Sequence, residues 1–230
     1  MRVWLHIGFH KTGSSAIQSF LLNSRSELLE EGLDYPMPLC GYDSHGEAAW
    51  CFLGERAGWR NKDYDPILVR DYFRKKLTNS NGRDFVVSSE DFSLMPRPQV
   101  EELCEWFKGY DLRVIAYVRD PLDQAVSRYH HGVLNGRTKE AFKDFLENAI
   151  PSFGEFSRIL DLWASIVGPE KIRVRQYSTN AAADFCYALG YESNAPTVAK
   201  RVGAGVHPWL SNSYRGLPDT PEGQAAKDNS

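Results

Sequence analysis

A three-layer α/β fold, with a central parallel sheet flanked by helices, is predicted by three observations. Short runs rich in strand formers recur at Arg2–Ile7, Asp84–Ser88, Leu112–Val118 and Lys171–Arg175. Between them lie longer stretches whose apolar residues repeat at helical spacing. Strands and helices alternate instead of clustering, and that order favours crossover connections and a sheet covered on both faces.

Taken in order, VWLHI supplies the first strand, and Gly8 to Gly13 make a short glycine-bounded turn. A helix follows from Ser14, with Ile17, Phe20, Leu21 and Leu28 on one face and Gly32 as its stop. Leu33 to Tyr35 is a short extended piece. The stretch 36–65, where glycines interleave with Tyr42, His45, Trp50, Phe52 and Trp59, reads as a less regular insertion. Ile67–Leu77 returns to helical spacing, and FVV marks the next strand. Val100, Leu103, Cys104 and Phe107 form another helical stripe, stopped by Gly109. After the strand at Leu112–Val118, Pro121 opens a helix whose stripe is Leu122, Ala125, Val126 and Tyr129. Two further stripes run through Phe142, Phe145, Leu146 and Ala149, then Phe156, Ile159, Leu160, Trp163 and Val167. The last strand precedes a helix at Thr179–Leu189, which ends at Gly190.

The 230 residues are 42% hydrophobic and 25% charged, enough to bury a core and unlike a disordered chain. One domain spanning 1–230 is expected, with a loop-rich segment at 193–230. A net charge of -3 gives no reason to expect a nucleic-acid partner. The opening MRVWLHIGFHKTG is too short an apolar stretch to enter a membrane and lacks a secretory cleavage signal. Cys40, Cys51, Cys104 and Cys186 make neither a CxxC pair nor a dense disulfide pattern, so free thiols and the cytoplasm are expected.

The sharpest motif is Gly8-Phe9-His10-Lys11-Thr12-Gly13-Ser14-Ser15, between a strand and a helix. Unpaired backbone N–H groups at such a helix start suit an anion, Gly13 permits the tight path, and the two serines add hydroxyls. Lys11 brings a mobile positive charge. The lysine precedes the second glycine, so this is not a Walker A loop, nor is it a GxGxxG loop. Arg119-Asp120-Pro121, after the strand VIAYV, is a second motif; it places a guanidinium at a strand end, with Ser127 in the helix that follows.

Together, HKTGSS followed by IQSFLLN, and RDPLDQAVSRY, resemble the P-loop sulfotransferase family and its bacterial members in particular. The resemblance runs from residue 2 to about residue 190, and the two nucleotide motifs are its distinctive parts. It implies a P-loop-like nucleotide-binding sandwich and a donor, 3′-phosphoadenosine 5′-phosphosulfate (PAPS), with the bisphosphate PAP as product. His10, Lys11, Thr12, Gly13, Ser14 and Ser15 would hold the phosphosulfate, and Arg119 and Ser127 the 3′-phosphate. The family closes over that phosphate with a late basic loop; Lys200 and Arg201, in KRVGAGVHP, stand in that position, although the loop departs from the family's usual forms.

Sulfuryl transfer needs charge stabilisation and a base. Lys11 is the expected electrostatic catalyst, and no metal is expected: His130 and His131 lack the further ligands of a zinc site. Glu90, in Ser88-Ser89-Glu90-Asp91 after the strand FVV, is the first candidate base, although the same residues also read as a helix-start cap. His45 is the second candidate. Many cytosolic members use a histidine after a central strand, where this chain has SSED. The acceptor is expected to be a small molecule or carbohydrate bearing a hydroxyl or amine, and oligomeric state is left open. A phosphotransferase, or a PAPS-binding protein without turnover, are the competing readings.

Overall fold

The computed structural model describes residues 1–54, 64–149 and 155–191. Five parallel strands, β1 (Arg2–Ile7), β2 (Leu33–Asp34), β3 (Asp84–Ser89), β4 (Asp111–Val118) and β5 (Ile172–Gln176), form one sheet in the order β2-β3-β1-β4-β5. β1 is central, with Leu5 paired to Val87 on one side and Val114 on the other. Its side chains alternate between two cores. Val3, Leu5 and Ile7 join Phe85, Val87, Val114 and Ala116 on one face. Trp4 joins Val86, Ile115 and Tyr117 on the other. Such burial on both faces is what makes parallel strands read as near-continuous apolar runs.

Helices α1 (Ser14–Asn23), α2 (Arg25–Glu30) and α9 (Ala181–Leu189) cover the Trp4 face through Ile17, Phe20, Leu21, Leu28 and Phe185. The opposite face is covered by α3 (Glu47–Leu53), α4 (Pro66–Thr78), α5 (Arg97–Trp106) and α8 (Glu155–Val167), which contribute Trp50, Phe73, Leu103 and Trp163. Two more helices, α6 (Pro121–Leu134) and α7 (Phe142–Ala149), pack together through Tyr129, whose ring lies 5.1 Å from Phe142 and 5.3 Å from Phe145.

Three expectations change. The helix expected from Ser14 to Gly32 breaks at Ser24, whose backbone N–H closes α1 on Phe20 O while its carbonyl starts α2. The stretch 36–65, read as irregular, contains α3. Five of the seven residues of α3 are buried, so it carries no polar stripe from which a helical period could be read. Gly46 precedes it because a Cβ there would collide with the Trp50 ring. Leu122, expected in the core, is 50% exposed, since α6 starts at the sheet's rim and buries only Ala125 and Gly132.

Among the described residues, no helix is long and apolar enough to cross a membrane. The cysteines are free; burial pushes the thiols of Cys51, Cys104 and Cys186 up to about 12.

Candidate active site

All strands being parallel, the segments after β1, β3, β4 and β5 leave the sheet at one end, where open α/β sheets hold ligands. Hydrogen bonds knit these segments together. Gly8 N donates to Ser89 O at 3.2 Å, and Tyr177 N to Val118 O at 2.7 Å. From the β4 side, Arg119 Nη1 reaches Lys11 O at 3.3 Å and Gln124 Nε2 reaches His10 O at 2.7 Å. Asp120 caps α6 by accepting from Leu122 N and Asp123 N. The loop after β1 is therefore held from its neighbours.

Its own path is tight. Lys11 takes a left-handed φ of 67° and Gly13 one of 88°, which turns the chain sharply into α1. A Cβ on Gly13 would strike the Tyr177 ring, and one on Gly8 would strike Ser14 Oγ. Thr12 Oγ1 donates to Phe9 O at 2.6 Å, so this hydroxyl closes the loop on itself. Helix α1 starts with no side-chain cap and no acidic residue in its first turn, leaving its positive end open to an anion.

A cleft of about 760 Å³ lies against this helix end. His10, Lys11, Gly13, Ser14 and Ser15 line one side, Arg119 and Ser127 another, and Glu90 a third. Ser14 Oγ and Arg119 Nε are both buried and have no hydrogen-bond partner among the described residues. Orphaned buried polar groups are rare in proteins and call for a ligand, ion or water. The Arg119 guanidinium lies 4.9 Å from the centre of the Tyr177 ring, which orients it. Lys11 is half buried, and that desolvation holds its ammonium below the usual lysine range against the opposing pull of Glu90.

Glu90 Oε2 accepts from His10 Nδ1 at 2.7 Å. Ser89 Oγ accepts from Asp91 N at 3.3 Å and so caps the 3₁₀ turn Glu90–Leu94. The helix-start cap expected of SSED is thus formed, and by Ser89. Glu90 also lines a second cleft, of about 400 Å³, which shares Ser15 with the first.

The family model for the sulfotransferase domain matches residues 2–178. The chain belongs to the sulfotransferase family. Sulfuryl transfer from PAPS is therefore its family-level activity. Similar solved structures include a sulfotransferase from Alicyclobacillus acidocaldarius, at 17% identity over 81% of this chain and 80% of that one, with a TM-score of 0.49. Another is the sulfotransferase domain of the Synechococcus PCC 7002 olefin synthase, at 13% identity over 94% and 78%, with a TM-score of 0.44. A third is retinol dehydratase in complex with androsterone and the inactive cofactor PAP, at 17% identity over 88% and 63%, with a TM-score of 0.41. Comparison with curated protein sequences gives no match.

In this sulfotransferase the second candidate base, His45, is not brought to the rim. It is fully buried under the sheet edge, its Nε2 donating to Pro36 O at 2.9 Å and its Nδ1 accepting from Ser88 N at 3.0 Å. Burial drives its pKa down to about 3, so it is a neutral ring that ties the β2 exit to β3. That geometry gives His45 a structural role, with neither nitrogen left for an acceptor. Lys200 and Arg201 lie outside the described residues. Among the described residues, no three of His, Cys, Asp and Glu gather in a metal-binding arrangement.

The cleft also includes Arg128, His131, Arg137 and Tyr177, which the motifs alone did not single out. His131 follows Ser127 by four positions, hence by one helical turn, and that spacing was a usable signal. Burial lowers its pKa, and the nearby Lys11 and Arg137 lower it further. Tyr177 follows β5, so the strand-end rule that located Glu90 and Arg119 locates it too.

The buried histidines make a stability prediction. His6, beneath the site with its Nδ1 2.8 Å from Ser88 Oγ, is held at about 4 by burial, and His45 at about 3. Both are neutral when folded and take up protons near 6.5 when unfolded. Stability therefore falls as pH drops below about 6.5, each ring contributing up to about 1.4 kcal/mol per pH unit until its folded pKa is reached. Urea unfolding from pH 7 to pH 4 should show this slope. His45→Leu should reduce it and cost about 2–5 kcal/mol at pH 7, because two buried backbone groups lose their partner.

Proposed function

We propose that the larger cleft holds PAPS and that the chain moves its sulfuryl group to an acceptor hydroxyl or amine, a small molecule or a carbohydrate. The observation that carries this reading is that Ser14 Oγ and Arg119 Nε, buried and partnerless among the described residues, both belong to the walls of one cleft. They sit on separate loops, as two phosphate positions of one nucleotide require. The open end of α1, with His10, Lys11, Gly13, Ser14, Ser15 and the Thr12 backbone, takes the phosphosulfate end; Arg119 and Ser127 take the 3′-phosphate. The bound donor supplies an activated sulfuryl group on a phosphate leaving group.

Lys11 faces the oxygens on which charge builds, and its partial desolvation strengthens that field. Glu90, at the junction of the two clefts, takes the acceptor's proton, while His10 fixes its carboxylate. The four free thiols support a cytoplasmic, reducing setting.

Calorimetric titration tests the donor assignment. PAP should bind at least about ten-fold more tightly than adenosine 5′-monophosphate, the value of one charge-assisted phosphate contact, and more tightly than ATP. Arg119→Ala should erase most of the advantage given by the 3′-phosphate. Equal affinities for PAP and the monophosphate, or ATP binding more tightly than PAP, would overturn the assignment in favour of another nucleotide-dependent transferase.

A further inference from the structure

The helix that brings Ser127 to the donor cleft continues past it and builds more of the wall. Ser127, His131 and Asn135 recur at intervals of four and share one face, while Arg128 and Gly132 lie on the adjoining row. All five line the larger cleft. Beyond Asn135 the chain turns back on the helix. Arg137 N and Thr138 N both donate to Gly132 O, at 2.8 and 3.1 Å. Position 132 is bare for this purpose, since a Cβ there would strike the Thr138 hydroxyl. Asn135 Nδ2 donates to His131 O at 2.7 Å and the Tyr129 hydroxyl to Glu140 O at 3.1 Å, which hold the turn from two more sides. The loop is thereby fixed with Arg137 in the cleft wall.

This wall carries more positive charge than the donor reading uses. Lys11 and Arg119 are assigned to the two anionic positions of PAPS, and Arg128 and Arg137 remain. Neither guanidinium makes an ion pair or hydrogen bond with a described residue. Glu140, three positions after Arg137, instead accepts from Asn148 Nδ2 at 3.4 Å. Glu90 is the one carboxylate among the described residues lining this cleft, and it is paired with His10. Position separates Arg137 from the 3′-phosphate. The neighbouring His131 feels the charges of Lys11, Arg137, Glu90 and His10, the groups around the transfer centre. Burial, then Lys11 and Arg137, lower its pKa, so the ring is neutral at neutral pH and does not compete with Arg137 for an anion.

We propose that this part of the cleft seats the acceptor and that Arg137 pairs with an anionic group on it, so that the substrate is a hydroxylated acid, a sugar or small alcohol bearing a carboxylate or sulfate. This rests on the donor reading above, which fixes the side from which the sulfuryl group arrives. A planar guanidinium meets a carboxylate or sulfate through two parallel hydrogen bonds, which fixes orientation as well as position. Arg128 adds to the field that draws acidic compounds into the cleft, and cationic acceptors are disfavoured by the same charges. With the anionic group on Arg137, the hydroxyl is presented toward Glu90 and Lys11. Its proton passes to Glu90, its oxygen forms a bond to sulfur, and the bond from sulfur to the 5′-phosphate oxygen breaks. The electron pair of that bond leaves with PAP.

The test is equilibrium binding of glucuronate, glucose 6-sulfate, glucose and glucosamine to the PAP-saturated protein. These probes share a pyranose ring and differ in charge. At least one of the two acids should bind about ten-fold or more tighter than glucose, as one charge-assisted contact predicts, with glucosamine no tighter than glucose. Arg137→Gln should shrink that advantage to a few-fold, Arg137→Lys should keep part of it, and PAP affinity should stay within a few-fold of the parent in both. No advantage for either acid, a preference for glucosamine, or an advantage that survives Arg137→Gln would each overturn the proposal. So would a loss in Arg137→Gln that falls on PAP, since the arginine would then serve the donor. The PAP titration separates the two levels. Protein that prefers PAP to the monophosphate but shows no preference for acids loses this inference alone, whereas protein without that preference for PAP loses the donor reading as well.

Discussion

Lys11→Ala should lower the rate of sulfuryl transfer by about 10²–10³-fold with donor and acceptor saturating, the usual cost of removing one preorganised electrostatic contact. The expectation comes from where the sequence puts this lysine and what the fold does with it. The left-handed backbone at Lys11 and the hydrogen bond from Arg119 to its carbonyl hold the residue at the mouth of the cleft. Half burial raises the value of its charge by excluding competing water. Burial also lowers its pKa, so the essential positive charge is present at neutral pH and lost as pH rises through a value below 10.5. The parent enzyme's rate should therefore decline on the alkaline side. Lys11→Arg, which cannot deprotonate in this range, should lose that decline while recovering only part of the rate, since a planar fork does not replace a compact ammonium. Single-turnover measurements separate the chemical step from binding and product release. A parent-like saturated rate in Lys11→Ala would remove the lysine from catalysis, and a defect confined to donor affinity would make it a binding residue.

The parts of this fold that were legible in the sequence are those whose physics is local. β1 runs from Arg2 to Ile7 as expected because an apolar strand closed by Gly8 leaves little choice of ends. The loop at Lys11 and the strand-end position of Arg119 follow from the same local logic. What stayed hidden depends on contacts between distant residues. Helix α3 is buried almost throughout, so its period has no polar phase to reveal it. His45 has the right chemistry for a base, but its two hydrogen bonds, to residues nine and 43 positions away, make it a structural tie. The pair His10–Glu90 joins residues 80 positions apart. Glu90 could be placed on the rim from its strand, whereas its partner could not be named. The second cleft was invisible for the same reason: Gln18, Asp43 and Asp91 come from three separate segments.

Glu90→Gln is the sharper test of how the acceptor is activated, with an expected loss of about 10²–10⁴-fold in single-turnover rate. The amide keeps the side chain's shape and can still accept from His10 Nδ1 through its oxygen, so the 2.7 Å contact has a neutral replacement. What it removes is the capacity to take a proton. PAP affinity should stay within a few-fold of the parent, because the phosphate positions assigned above belong to α1, Arg119 and Ser127. A further measurement distinguishes a base from a structural prop. His10→Ala should cost less, about ten-fold, because it leaves the base in place and removes only its orienting partner. If the order is reversed, with His10→Ala nearly inactive and Glu90→Gln close to the parent rate, the imidazole is the base and Glu90 its positioning residue. That exchange would be physically coherent, since the two groups share one hydrogen bond at the junction of the two clefts. If Glu90→Gln and His10→Ala both retain the parent rate with the protein folded and PAP-competent, the pair has no part in the transfer step. Loss of the acceptor's proton would then have to rest on the acceptor's own acidity, without help from this pair.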